Sequence, residues 1–311
     1  MDKLDVRIIR EYLQGEPLLS IWPSRASSRP PIRLLAKKLG TSESAVRSRV
    51  QRLSNLVSLS EGTLIVNPAL LGESIGALLF DVSEGLPKEK VLKELKLIEG
   101  MFIMVDYESR HVVTVFFYSD KPSLKKKVDL IAAISGCKNR KTFANFVFPR
   151  CNLQLSRTDL QIIASRIKDM SKSNQGIAGE LGLSSRTVKR RLTRMIDGGA
   201  FTPIASMDVT ALKDCVYCDL VVTFKNAESR GDTEAGILPL VDDYLTFFGR
   251  FDSLTELNMI VPSIPIGEKL RDQIGGLANV KTARIEFIDD RIELYDVMLE
   301  KVNHQLVLAG T

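Results

Sequence analysis

LLAKKLGTSESAVRSRVQRL at Leu34–Leu53 and GIAGELGLSSRTVKRRLTRM at Gly176–Met195 are one stretch written twice. In register, Ala36/Ala178, Leu39/Leu181, Gly40/Gly182, Ser42/Ser184, Val46/Val188, Arg49/Arg191 and Arg52/Arg194 are identical, seven positions in twenty. Leu35/Ile177, Val50/Leu192 and Leu53/Met195 keep their apolar character. The identities fall where a helix pair needs punctuation or core. Gly40 and Gly182 can take the left-handed conformation that ends a helix, and Ser42 and Ser184 can cap the next one. Helix, glycine turn and capped basic helix together make the sequence form of a helix-turn-helix.

The repeat extends outward on both sides. Leu4–Ile9 parallels Thr158–Ile163, and Asp5 and Asp159 each fall in a first helical turn, where a carboxylate complements the helix dipole. Asn67–Gly72 parallels Asp208–Lys213. The first half carries about twelve extra residues within Gln14–Pro31, including Trp22, Pro23, Pro30 and Pro31. After Leu59–Val66 and Phe201–Met207, read as the strand pairs of a wing, each half turns to strand-like runs. In the first these are Ile75–Val82, Phe102–Tyr107, Val112–Tyr118 and Lys141–Phe148; in the second, Val216–Lys225, Thr246–Arg250, Glu256–Val261 and Lys281–Phe287. Helical patterns at Lys88–Glu99, Leu124–Ser135, Thr233–Asp243 and Ile266–Gly275 separate them into β-α-β-β-α-β, the ferredoxin-like order. Arg291–Gln305 reads as a closing helix. The expected fold is α+β: two tandem copies of a winged helix-turn-helix plus a ferredoxin-like βαββαβ domain, over 1–70, 71–150, 151–208 and 209–311.

Composition is that of a globular chain. Its 311 residues are 44% hydrophobic and 26% charged, so disorder and fibrous classes are excluded. No apolar run has the length of a membrane helix, so no membrane contact is expected. The opening MDKLDVRIIREYLQ has helical periodicity instead of a signal peptide's apolar block, and the expectation is a cytoplasmic protein. Four cysteines are too few for a disulfide framework; Cys215 and Cys218 have the C-x-x-C spacing, but nothing completes a metal site around them. Buried thiols are the reading there, and no metal or other cofactor is expected.

Charge carries the first functional signal. The net charge is +5, yet Arg29–Arg52 holds seven basic residues and one acid, and Ser184–Arg194 holds five and none. The remainder of the chain is acidic. Two basic helices in an acidic background are the electrostatic footprint of a nucleic-acid binder. On the first, Val46, Val50 and Leu53 share a face, which leaves Ser44, Arg47, Ser48 and Gln51 outward. On the second, Val188, Leu192 and Met195 face in and Arg186, Lys189, Arg190 and Thr193 out. These outward residues are the ones that would meet base edges in a major groove. Arg49, Arg52, Arg191 and Arg194 lie on the flanks and are expected to contact phosphates, as are the helix starts at Ser42 and Ser184. A merely solvated face is the alternative; acids are nearly absent from these two helices, however, and the pattern recurs. Double-stranded DNA is the expected partner. Lys125–Lys127 has no such frame and reads as a solvated helix start, and the acid pairs Asp242-Asp243 and Asp289-Asp290, at element ends, read as solvated surface.

With these residues in view, each half resembles the feast/famine regulators, the Lrp/AsnC family. The resemblance rests on Asp5 or Asp159 ahead of a paired isoleucine, on Leu-Gly-x-Ser before the arginine-rich helix, on Asn67-Pro68-x-x-Leu71-Gly72, and on a turn at Gly249-Arg250-Phe251-Asp252. A tandem fusion of two such modules resembles regulators of some archaea. The resemblance implies a transcriptional regulator, a homo-oligomer or intramolecular pseudo-dimer, and a small-molecule effector such as an amino acid. Gly249, Arg250, Phe251 and Asp252 would edge the effector's pocket; the first half has Asp106-Tyr107-Glu108-Ser109 there instead. Two alternatives stand beside it. One is a DNA-architectural protein with little sequence preference. The other is a tetrapyrrole enzyme: Arg29-Pro30 before Leu35-Ala36-x-x-Leu39-Gly40 resembles the first module of siroheme decarboxylases, where His111 would supply acid chemistry.

Overall fold

The structure, a computed structural model, describes residues 1–14, 31–53, 63–143, 148, 150–169, 171–204, 209–251, 254–294 and 296–308. Helices α1 (Lys3–Gln14), α2 (Ile32–Leu39) and α3 (Glu43–Leu53) come first, followed by strand β1 (Thr63–Val66) and a 3-10 turn over Pro68–Leu71. Next are β2 (Ser74–Asp81), α4 (Lys88–Leu95), β3 (Met101–Tyr107), β4 (His111–Tyr118), α5 (Lys121–Ser135) and β5 (Arg140–Phe143). The order then restarts with α6 (Arg157–Lys168), α7 (Asn174–Leu181), α8 (Ser185–Asp197), β6 (Phe201–Ile204) and a second 3-10 turn at Val209–Ala211. It continues through β7 (Val216–Phe224), α9 (Arg230–Val241), β8 (Leu245–Phe251), β9 (Leu254–Val261), α10 (Ile264–Gly275) and β10 (Val280–Glu293), and α11 (Asp296–Leu308) ends it.

Two compact units form, and each takes its three-helix head from one half of the chain and its sheet from the other. The first comprises Met1–Ser60, Tyr107–Ser109 and Ala205–Asp290. Its sheet is antiparallel, in the order β10-β7-β9-β8. Alternation along the strands sorts their side chains by face. Cys218, Leu220 and Val222 of β7 and Leu257, Met259 and Val261 of β9 pack under Ile237 and Val241 of α9 and Leu270 and Ile274 of α10. Tyr217 and Ile260 point the other way, into the core of the α1–α3 head, where they meet Val6, Ile8, Ile9, Leu35, Val46 and Leu53. Asp242 and Asp243 are no idle surface acids. Arg7 and Arg10 of α1 reach Asp242 at 2.7 Å each, and Lys3 pairs with Asp243.

The second unit comprises Glu61–Asp106, Arg110–Ile204 and Arg291–Thr311. Its sheet runs β5-β2-β4-β3, also antiparallel, with Leu78, Phe80, Met104, Val112 and Phe116 packed under α4 and α5. The α6–α8 head belongs here, and α11 lies along α6 with Met298 and Val302 buried.

Three local expectations change. Among the described residues, the segments read as two wings contribute one strand each, and these pair with one another: Thr63 faces Ile204 and Val66 faces Phe201, antiparallel. Residues 59–62 and 205–207 of those segments lie outside the described residues. Asn67 extends the ladder: wholly buried, it donates from its backbone to Ala200 O at 2.8 Å and from Nδ2 to Gly199 O at 2.9 Å. The closing helix begins later than expected, because Arg291-Ile292-Glu293-Leu294 alternates with period two. Ile292 and Leu294 pack on the α4–α5 core while Arg291 pairs with Glu293 at 2.8 Å, so this stretch prolongs β10 and its exit. Finally, Gly249–Phe251 is strand, not turn, and Asp252 lies outside the described residues.

Candidate nucleic-acid interface

Each basic helix is built by the same local chemistry. Gly40 and Gly182 end α2 and α7 with the same left-handed backbone, φ 65° and ψ 33°. A side chain there is strained wherever its Cβ points, which is why both halves carry glycine. Ser42 Oγ accepts from Ala45 N at 3.2 Å, and Ser184 Oγ from Thr187 N at 3.1 Å, so both caps act as expected. Val46, Leu53, Val188, Leu192 and Met195 are buried. That rotation leaves Ser44, Arg47, Ser48 and Gln51 of α3, and Arg186, Lys189, Arg190 and Thr193 of α8, exposed together as the periodicity requires.

The flanking arginines have a second occupation that the sequence reading missed. Arg191 Nη1 reaches Asp159 Oδ1 at 2.8 Å and Arg194 Nη2 reaches Asp159 Oδ2 at 2.7 Å. Asp159 is fully buried, and it also closes a capping box with Ser156 at the start of α6. Burial works against its charge, but the Ser156 hydroxyl and the Arg191 guanidinium hold its carboxyl below the ordinary 3.8. In the first head Asp5, equally buried, takes Arg49 at 2.8 Å and Arg52 at 2.6 Å. Arg49 also pairs with Asp2 at 2.6 Å, and its guanidinium is held above its ordinary range by the hydrogen bonds to Asp2 and Asp5. So a carboxylate on the first helix pins the basic helix in each head through two arginines three residues apart. The signal was present in the sequence, since an aspartate and two arginines recur at matched positions.

The clamps differ in charge. Two arginines face two acids in the first head. In the second, Ser156 stands at the place of Asp2 and Arg190 at the place of Ser48. Arg190, Arg191 and Arg194 line a cavity of about 280 Å³ beside the single carboxylate.

The other candidates separate from this interface. Arg250 donates from Nε to Glu234 Oε2 at 2.7 Å, and the buried Glu234 also takes Arg230 at 2.9 Å and Thr255 at 2.5 Å. Phe251 follows Arg250 at the end of β8. Cys218 is buried, which pushes its thiol up, and no cluster of three metal-ligating side chains occurs among the described residues. His111 Nδ1 lies 3.0 Å from Asp81 Oδ1, its neighbour across β2 and β4. Arg29 and Pro30 lie outside the described residues. No described helix is long and apolar enough to cross a membrane.

Comparison with known proteins meets this geometry at the second head. Residues 155–200 match the model of a winged helix-turn-helix DNA-binding domain. The HTH-type transcriptional regulator LrpA of Pyrococcus horikoshii is 37% identical over 82 residues, 24% of this chain and 58% of LrpA. The regulator FL11 of Pyrococcus furiosus is 27% identical over 146 residues, 46% of this chain and 87% of FL11. Both relatives are HTH-type transcriptional regulators. The match to LrpA spans a little over half of that regulator's length. Over the whole chain, the siroheme decarboxylase NirDL in complex with an iron-uroporphyrin III analogue shares the fold, with a TM-score of 0.52 at 14% identity over 99% of this chain and 100% of that one. At that identity the likeness is one of fold alone.

Proposed function

We propose that this protein is a DNA-binding transcriptional regulator that reads one asymmetric duplex site with two unlike recognition helices carried on a single chain. The supporting observation is that α3 and α8 share caps, glycine turn and aspartate clamp but expose different side chains. Arg47 and Gln51, and Arg186 and Lys189, have the hydrogen-bonding reach to read base edges in the major groove. The chain is two tandem copies of winged helix-turn-helix and ferredoxin-like domain, divided as 1–70, 71–150, 151–208 and 209–311. Pairing of β1 with β6 favours an intramolecular pseudo-dimer, with homo-oligomers built from such chains. A small effector, an amino acid in class, docks along Gly249–Phe251 with Asp252, where its carboxylate competes with Glu234 for Arg250.

Selection of bound duplexes from a random pool with the full chain tests the reading. A two-part motif with unlike halves is expected, Arg47→Ala relaxing one half and Arg186→Ala the other. A symmetric motif would count against two unlike readers, and binding without enrichment would favour the architectural reading. Fold likeness to a siroheme decarboxylase favours a second reading, a tetrapyrrole enzyme using His111. An absorbance titration with iron-uroporphyrin III separates it, since a regulator leaves the tetrapyrrole spectrum unchanged.

A further inference from the structure

Arg190 is exposed on α8 beside the side chains that would face bases, but its surroundings are those of the clamp. It lies one helical turn before Arg194, and with Arg191 and Arg194 it walls the cavity of about 280 Å³. Arg191 and Arg194 each spend one nitrogen on Asp159. Arg191 Nε is buried and finds no acceptor among the described residues. A buried guanidinium N–H without a partner is costly, and a charged acceptor satisfies it best. Three guanidiniums against one carboxylate leave two positive charges uncompensated here.

We propose that Arg190, Arg191 and Arg194 form a dedicated phosphate subsite, which takes a backbone phosphodiester of the half-site bound by the second head. Asp159 is its positioning residue: it holds Arg191 and Arg194 in place beside the cavity they line. The reading stripe of α8 is then Arg186, Lys189 and Thr193, at i, i+3 and i+7 on one face, matched by Ser44, Arg47 and Gln51 of α3. The first head has no equivalent subsite, because Ser48 replaces Arg190 and Asp2 balances Arg49. The second head therefore anchors on any sequence, and discrimination weighs more heavily on the first. The assignment to DNA rests on the function proposed above; the anion site itself does not.

Two measurements on the full chain decide it. In the first, inorganic phosphate is titrated while the arginine Nε–H resonances are followed by NMR. Arg191 should shift saturably, Arg49 should not, and Arg190→Ala should weaken the Arg191 response at least tenfold. An Arg191 signal indifferent to phosphate overturns the subsite. In the second, duplex affinity is measured against salt for wild type and Arg190→Ala. The slope of log K against log salt should fall by about 0.9 with the loss of one phosphate contact, equally on selected and random duplexes. The selected motif should stay unchanged. A motif relaxed in one half by Arg190→Ala makes Arg190 a base reader and overturns the assignment. A wild type that takes phosphate but no duplex keeps the anion site and defeats the DNA reading instead.

Discussion

The two heads share a lock and differ in charge. In both, a buried aspartate on the first helix holds two arginines of the basic helix, Asp5 with Arg49 and Arg52, Asp159 with Arg191 and Arg194. Two positions outside that shared set decide the electrostatics. Asp2 and Ser48 make the first clamp neutral; Ser156 and Arg190 make the second doubly positive. Orientation of the recognition helix and attraction for a polyanion are thus separate properties of the same scaffold. One can be altered without disturbing the other.

The largest expected effect tests the lock. Asp159→Ala takes the carboxylate from Arg194 and leaves Arg191 only the Ser156 hydroxyl at 3.1 Å, removes the capping box, and should destabilise the second head by about 3 kcal/mol. Asp5→Ala should cost about half as much, because Asp2 stays within reach of Arg49. Denaturant melting followed by NMR signals of α8 and α3 measures each head separately. Equal losses would show that Asp2 adds nothing to the first lock. Acid should act in the same direction. The Asp159 carboxyl is held below its ordinary 3.8, so its contribution is complete above that pH and is lost as pH falls through the lowered value. Stability of the second head should be flat from pH 7 to about 5 and fall below about 4.

The charge difference is tested by moving it. Ser48→Arg combined with Asp2→Ser should give the first head the same surplus of two. At about 0.9 counterions per contact, two new phosphate contacts strengthen random-duplex binding roughly thirtyfold at 0.15 M salt, or about 2 kcal/mol. The reciprocal pair, Arg190→Ser with Ser156→Asp, should weaken it comparably. If the transplant leaves affinity unchanged, the surplus is not what anchors the protein.

How much of this could be read from the chain depended on how local the cause was. The helix-turn-helix elements, their caps and their buried faces follow from residues within one or two turns, and α2, α3, α7 and α8 lie where the repeat puts them. The clamp needed tertiary proximity: Asp159 precedes Arg191 by thirty-two residues, and a first-turn acid has a sufficient local explanation in the helix dipole. Partnering of β1 with β6 was illegible for the same reason, since a four-residue strand carries no record of which strand it will join. At Gly249–Phe251, glycine invited a turn, but the chain runs straight as an edge strand opposite Thr255 and Glu256. The end of β10 was misread because Arg-Ile-Glu-Leu suits a short helix as well as a strand, and only the packing of Ile292 and Leu294 separates the two.

The smallest effect serves as the control for the comparison. If the heads differ only in charge, a substitution that touches backbone alone should affect them equally. Gly40 and Gly182 are suited to this. Both sit at φ 65°, and a Cβ built on either meets nothing within 4 Å. Alanine at these positions therefore brings no clash and loses no contact; its cost is the left-handed backbone, about 1 kcal/mol, less a few tenths recovered from the stiffer unfolded chain. Gly40→Ala and Gly182→Ala should lower the stability of their own heads by matching amounts and leave the salt slope of duplex binding untouched. Unequal losses would mean that the heads differ in packing as well as in charge, and part of the difference between Asp5→Ala and Asp159→Ala would then belong to that packing instead of to Asp2.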